Sequence, residues 1–236
     1  MGSGPLALVG GDELRPGNEP QDRILVGAAA GGPAYVIATA AARQRPDLAA
    51  ANAQRWFGLL GLDVVELPLT KRSLATSPEL AARAREGRFF YLVGGDPGLV
   101  PKVLADTPVW SAIVDAWRDG AALAGSSAGA MAMGSWTLIR DRMPGDARRQ
   151  YRDALGLVPR VAVVPHLSTF GERWIPSALE AAPEDTILLG IDERTAAVHV
   201  DGVWRAEGDG SVVVIKRDGR ARHGPGDPIE GLPRLA

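Results

Sequence analysis

The sequence contains no cysteine. That absence excludes disulfides, thiolate metal sites and a cysteine nucleophile together, and it fits a reducing compartment. Histidine is scarce, with three in 236 residues, so an imidazole base can come only from His166, His199 or His223. No apolar run reaches the roughly 18 residues of a membrane-spanning helix, and no basic segment leads into an apolar core near residue 1. Charge of one sign is lacking as well. The formal net charge of −2 leaves no electrostatic footprint for nucleic acid or a membrane surface. Arg148-Arg149 reads as a solvated pair. These absences lead us to expect a cytoplasmic protein with neither nucleic-acid nor membrane partners.

What is present is ordinary for a globular chain, with 46% hydrophobic and 23% charged residues, enough to bury one large α/β core. We expect a single domain over 1–236, with a flexible start at 1–4 and an extended tail over 224–236. Short apolar runs of strand length alternate with helical spacing. Strands are predicted over 5–9, 34–38, 62–67, 88–93, 161–164 and 186–191, and helices over 46–60, 99–104, 108–118 and 174–182. Ser77-Pro78 reads as a helix cap and first turn. Residues 15–20 read as irregular loop, and 136–160 as loop with a short helix. Three later runs, 196–200, 203–206 and 211–216, read as antiparallel strands joined by turns at Asp201-Gly202 and Gly208-Asp209-Gly210. Strand and helix in alternation imply a mostly parallel sheet covered on both faces, with C-terminal antiparallel hairpins.

The most informative stretch is Ala121–Met133. An apolar run stops at Gly125-Ser126-Ser127-Ala128-Gly129, a G-x-S-x-G pattern, and helix formers resume at once. This is the form of a nucleophile elbow, in which the central serine, Ser127, stands on a tight strand-to-helix turn. The glycines make room for neighbouring backbone. The amide of Ala128 points where an oxyanion would form, next to a helix N-terminus. An ordinary small-residue turn is the plain alternative for the same pentapeptide.

A serine nucleophile needs a base and an orienting acid. His166 directly follows an apolar strand, whereas His199 alternates within a strand and His223 lies in an Arg/Gly-rich segment. Asp192 and Glu193 both stand where a strand enters a turn, and both can be plain turn residues. Gly10-Gly11-Asp12, Gly94-Gly95-Asp96, Ser127, His166 and Glu193 all fall at strand ends, where ligands bind in parallel α/β sheets. The Gly95 amide is a second candidate oxyanion donor.

In this order, Gly10-Gly11, Gly94-Gly95-Asp96, Ser127-Ala128-Gly129-Ala130, His166 and Gly190-Ile191-Asp192-Glu193-Arg194-Thr195-Ala196 resemble peptidase family S51, which includes dipeptidase E and cyanophycinase. The resemblance spans nearly the whole chain. It implies a three-layer sandwich of the flavodoxin-like, class I glutamine amidotransferase-like kind. It also implies Ser127 as nucleophile, His166 as base, Glu193 as acid, and the amides of Gly95 and Ala128 as the oxyanion hole. The implied substrate is a small peptide or isopeptide, cleaved through an acyl-enzyme on Ser127 without a metal or other cofactor. A homodimer is compatible with this reading.

Asp96 and Arg173 are the candidate substrate contacts. Two departures bear on specificity. Cyanophycinases carry several arginines after the histidine, where Leu167–Trp174 has only Arg173, and a glutamine after G-G-D, where this chain has Pro97. Other readings of the same residues are an α/β-hydrolase-type esterase, which needs a histidine after the acid (His199 or His223), and a non-catalytic binding member of the fold.

Overall fold

The computed structural model describes residues 2–29, 31–140 and 148–235. The first half of the chain runs β1 (Leu6–Val9), α1 (Glu19–Ala28), β2 (Ala34–Ile37), α2 (Pro46–Leu59), β3 (Val65–Glu66), α3 (Arg72–Ala75) and α4 (Pro78–Arg85), then β4 (Phe89–Leu92), α5 (Leu99–Leu104), α6 (Pro108–Arg118), β5 (Ala122–Ser126) and α7 (Ala128–Met133). The second half runs β6 (Gly134–Arg140), β7 (Arg149–Asp153), β8 (Val158–Val164), α8 (Ile175–Ala181), β9 (Ile187–Ile191), β10 (Thr195–Val200), β11 (Val203–Gly208), β12 (Val212–Lys216) and β13 (Gly219–His223).

The expected α/β sandwich is present, with β1, β5, β4, β2 and β3 as the parallel heart of a seven-stranded sheet of order β11-β10-β1-β5-β4-β2-β3. Strand alternation divides the core. Ala7, Val9, Phe89 and Tyr91 face one way, under Leu25 of α1 and Trp56 and Phe57 of α2. Leu6, Leu8, Phe90 and Leu92 face the other way, into a core with α4, α5 and α6 that continues to β8, β9 and β12. Phe57 meets Phe89 edge-on with ring centroids 4.9 Å apart. Truncating a buried aromatic of this kind to alanine costs about 3–5 kcal/mol.

A second, six-stranded sheet of order β13-β12-β9-β8-β6-β7 was not anticipated. Its centre is parallel, β6 with β8 and β8 with β9, and its margins are antiparallel. The segment read as loop with a short helix over 136–160 instead supplies most of β6, all of β7 and the start of β8; residues 141–147 of that reading lie outside the described residues. The hairpin of β10 and β11 forms as expected. Gly208-Asp209-Gly210, however, closes no hairpin, because β12 leaves the first sheet and pairs with β9 and β13.

The loop expected at 15–20 gives way to helix at Glu19, and the helix continues to Ala28. Its buried positions include Gln21 and Asp22 beside Leu25, so its inward face lacks the apolar stripe that marks a helix in a sequence. Gly4, grouped above with a flexible start, is buried and doubly bonded to Trp117. Its amide donates to the Trp117 carbonyl and its carbonyl accepts the Trp117 indole N–H, both at 2.8 Å.

Candidate active site

Ser127 joins β5 to α7 in a conformation that side chains rarely adopt, φ 48° and ψ −111°. Such a backbone persists only where its surroundings over-determine it. Here they do. A Cβ on Gly125 would collide with the backbone of Gly129, and a Cβ on Gly129 with the carbonyl of Leu92. The serine amide is tied to the Val9 carbonyl of the neighbouring strand at 2.9 Å. Two glycines and one strained serine thus turn the chain sharply at the carboxyl edge of the first sheet.

His166 follows β8, itself at φ 50°, with its amide donating to the Gly10 carbonyl at 2.8 Å. Its ring stacks on Phe170 at 4.7 Å between centroids. Nε2 lies 3.1 Å from Ser127 Oγ, and Nδ1 lies 2.7 Å from Glu193 Oε1. Both are hydrogen-bond distances, and the side chains of His166 and Glu193 are largely shielded, at 19% and 29% exposure. A carboxylate on Nδ1 fixes the tautomer in which Nε2 is free to accept the hydroxyl proton.

Glu193 occupies the turn between β9 and β10. That turn is pinned by Thr195 Oγ1 donating to the Glu193 carbonyl at 3.0 Å and by the Arg194 amide donating to the Gly11 carbonyl at 2.9 Å. Asp192 is otherwise engaged. Its two carboxylate oxygens accept the amides of Ser168 and Ser211, each at 3.0 Å, which ties the His166 loop to the second sheet.

The other two histidines are not at this place. His199 is buried on β10 beside Trp204, with burial holding its pKa below the usual imidazole value. His223 closes the edge strand β13.

A cavity of about 410 Å³ opens over Ser127 and His166, and Gly95, Asp96 and Ala128 line it. Two larger hollows, of about 460 and 590 Å³, lie around Trp110 and Leu155 and contain none of the three contacting residues. The chemistry, not the size, singles out the smaller. Among the described residues no acceptor takes the amides of Gly95 or Ala128, although the amides of Gly94, Asp96 and Ser127 are all bonded.

Arg173, the arginine singled out from sequence, is exposed and does not line the cavity. Arg149 does. It is buried at 7% exposure, and its guanidinium carbon stands 3.9 Å over the Trp174 ring, on the cavity wall beside Phe170 and Arg140. The solvated reading of Arg148-Arg149 is therefore corrected for its second member, because β7 turns that side chain inward onto an aromatic face that lies 25 positions away. A weakly hydrated, planar cation stacks there at little cost.

The profile of peptidase family S51 matches residues 18–204. Cyanophycinases of Trichormus variabilis and of a Nostoc species are each 31% identical over 216 residues, covering 89% of this chain and 72% of theirs. The crystal structure of a peptidase from an acI-B1 Actinobacterium superposes with a TM-score of 0.83 at 31% identity, covering 96% of both chains. A solved structure from Listeria monocytogenes shares the fold at a TM-score of 0.61 and 19% identity, over 99% of this chain and all of that one.

Proposed function

The chain belongs to peptidase family S51, and from that premise we propose that it is a serine-type amide hydrolase acting on a small peptide or isopeptide. One observation carries the serine chemistry: Ser127 Oγ, the His166 ring and the Glu193 carboxylate form one unbroken chain of contacts, 3.1 Å and 2.7 Å. In this reading Ser127 Oγ attacks the substrate carbonyl carbon while its proton passes to His166 Nε2. Glu193 stabilises the resulting imidazolium through Nδ1–H. The oxyanion is received by the amides of Gly95 and Ala128, neither of which has an acceptor among the described residues. Collapse breaks the C–N bond, and the leaving amine takes the proton from Nε2. Water then gives a proton to the same nitrogen, attacks the ester and frees Ser127. These steps call for no cofactor.

The cavity supports a small substrate with a carboxylate. Met131, Leu138, Phe170 and Trp174 supply apolar walls, and Arg149, whose Nη1 also donates to the Arg148 carbonyl at 3.1 Å, supplies a buried positive charge that favours a carboxylate. The relatives named cyanophycinase raise cyanophycin as a substrate. Pro97 at the cavity wall and the single arginine after His166, exposed and outside it, favour a short peptide instead. We place the reaction in the cytoplasm, where a cysteine-free chain is at no disadvantage. The test is kcat/KM for α-aspartyl, β-aspartyl and neutral dipeptides. Hydrolysis of the acidic pair, lost in Ser127→Ala, is expected. Equal rates on neutral dipeptides would remove the acidic preference, and turnover surviving in Ser127→Ala would remove the mechanism.

A further inference from the structure

The loop after β1 holds two non-glycine residues in the left-handed region, Asp12 at φ 55° and Leu14 at φ 62°. A loop so strained keeps its shape only where partners hold it. The Asp12 carboxylate pairs with Arg15 at 2.9 Å and Arg194 at 3.4 Å, and its carbonyl accepts Asn18 Nδ2 at 2.9 Å. What the loop presents is Glu13. Its Oε1 accepts the Gly94 amide at 2.9 Å, a contact between residues 81 positions apart.

Gly94 opens the loop after β4 that carries Gly95. One residue beyond Gly95, the Asp96 amide donates to the Ala40 carbonyl at 2.8 Å. Gly95 itself sits at φ 146°, where a Cβ would strike that same carbonyl. The peptide planes on either side of the Gly94–Gly95 plane are thus clamped, one by a side chain and one by a carbonyl. Two consecutive glycines otherwise leave the plane between them free to rotate. The clamps remove that freedom and leave the Gly95 N–H as the amide without an acceptor among the described residues.

We propose that Glu13 is a positioning residue: by holding the Gly94 amide, its carboxylate aims the Gly95 N–H at the oxyanion. This rests on the serine-hydrolase reading above. Glu13 touches no reacting atom and moves no proton. Its place beside the nucleophile is set by the same glycine, since a Cβ on Gly94 would stand 3.0 Å from Glu13 Oε1 and 3.3 Å from Ser127 Cβ. What the role requires is an acceptor of the right reach, not the charge. A negative charge so near a developing oxyanion works against it, so the amide side chain of glutamine serves as well.

Three variants separate reach from charge: Glu13→Gln keeps the acceptor, Glu13→Asp keeps the charge one methylene short, and Glu13→Ala removes both. The readouts are kcat and KM on an aspartyl dipeptide, inhibition by a peptide aldehyde (whose adduct with a serine bears the oxyanion) and the thermal midpoint. For Glu13→Asp and Glu13→Ala, kcat falls about 10- to 100-fold with KM within about threefold, and aldehyde affinity falls in parallel with kcat. Glu13→Gln stays within about threefold of wild type. If Glu13→Ala fails to fold, the contrast between the glutamine and aspartate variants decides.

Folded Glu13→Asp with wild-type kcat and aldehyde affinity overturns the proposal. So does Glu13→Gln as impaired as Glu13→Asp, which would assign the effect to charge. Failure of the underlying reading looks different: the wild type ignores the aldehyde, and Ser127→Ala still turns over.

Discussion

Gly11 and His166 are in such close contact that a Cβ at position 11 would strike Cε1 and stand 2.5 Å from Nε2 of the imidazole ring. The glycine also stands at φ 119°, a conformation closed to ordinary side chains. Gly11→Ala therefore displaces the ring from both Ser127 and Glu193. We expect kcat to fall at least about 100-fold, since a misplacement of about 1 Å has that effect on an aligned reaction. Steady-state kinetics beside a thermal melt checks it: the loss belongs in kcat, in a protein that still folds.

Glu193 holds Nδ1 of His166 at 2.7 Å, and an amide in its place can present an N–H to that nitrogen and favour the wrong tautomer. Glu193→Gln should lower kcat by about 10²- to 10⁴-fold with little change in KM. Asp192→Asn is the control, because its carboxylate serves backbone amides away from the ring. A larger kcat loss in the Asp192 variant would reverse the assignment of the acid.

Arg149 and Arg173 make opposite predictions. Arg149→Ala removes a guanidinium stacked on Trp174 in the cavity wall, and Arg173→Ala removes an exposed side chain outside it. For an aspartyl dipeptide, which bears a carboxylate on its aspartyl residue besides the terminal one of any dipeptide, the first should raise KM about tenfold or more and the second should leave it unchanged. Measured on a neutral dipeptide, both variants should match wild type.

That the sequence points to Arg173, outside the cavity, and passes over Arg149, on its wall, has a physical basis. Arg173 follows the histidine locally, whereas Arg149 gains its surroundings from an aromatic ring supplied by another element. The same contrast runs through the fold. Ser127 and His166 each carry a local mark, a strand end with small or polar neighbours, whereas Asp192 and Glu193 share theirs, and only the resemblance to family S51 chooses Glu193 between them. Helix α1 turns Gln21 and Asp22 inward and shows no apolar stripe. Strand β7, Arg149–Asp153, is nearly all polar and declares itself only by pairing with β6. Strand β12 reads plainly as a strand, but no local pattern says which of two sheets it joins.

Asp22 carries a pH prediction. Burial raises its carboxyl pKa from 3.8 to about 7, with the Trp56 indole hydrogen bond at 2.7 Å opposing the rise. Between those values the folded protein keeps a proton that the unfolded chain has released, so this group's contribution to stability declines as pH rises toward about 7 and then levels off. Asp22→Asn keeps an acceptor for Trp56 and cannot ionise. Denaturant unfolding should show the variant gaining on wild type between pH 4 and pH 8. A constant gap across that range would contradict the buried, proton-holding state.

The most direct test of the account is to trap the acyl-enzyme mimic. The protein is treated with a fluorophosphonate and its intact mass measured, followed by peptide mapping. The account predicts one adduct per chain, on Ser127, absent in Ser127→Ala and formed far more slowly in His166→Ala. An adduct on another residue, or none from a preparation that hydrolyses aspartyl dipeptides, would contradict it.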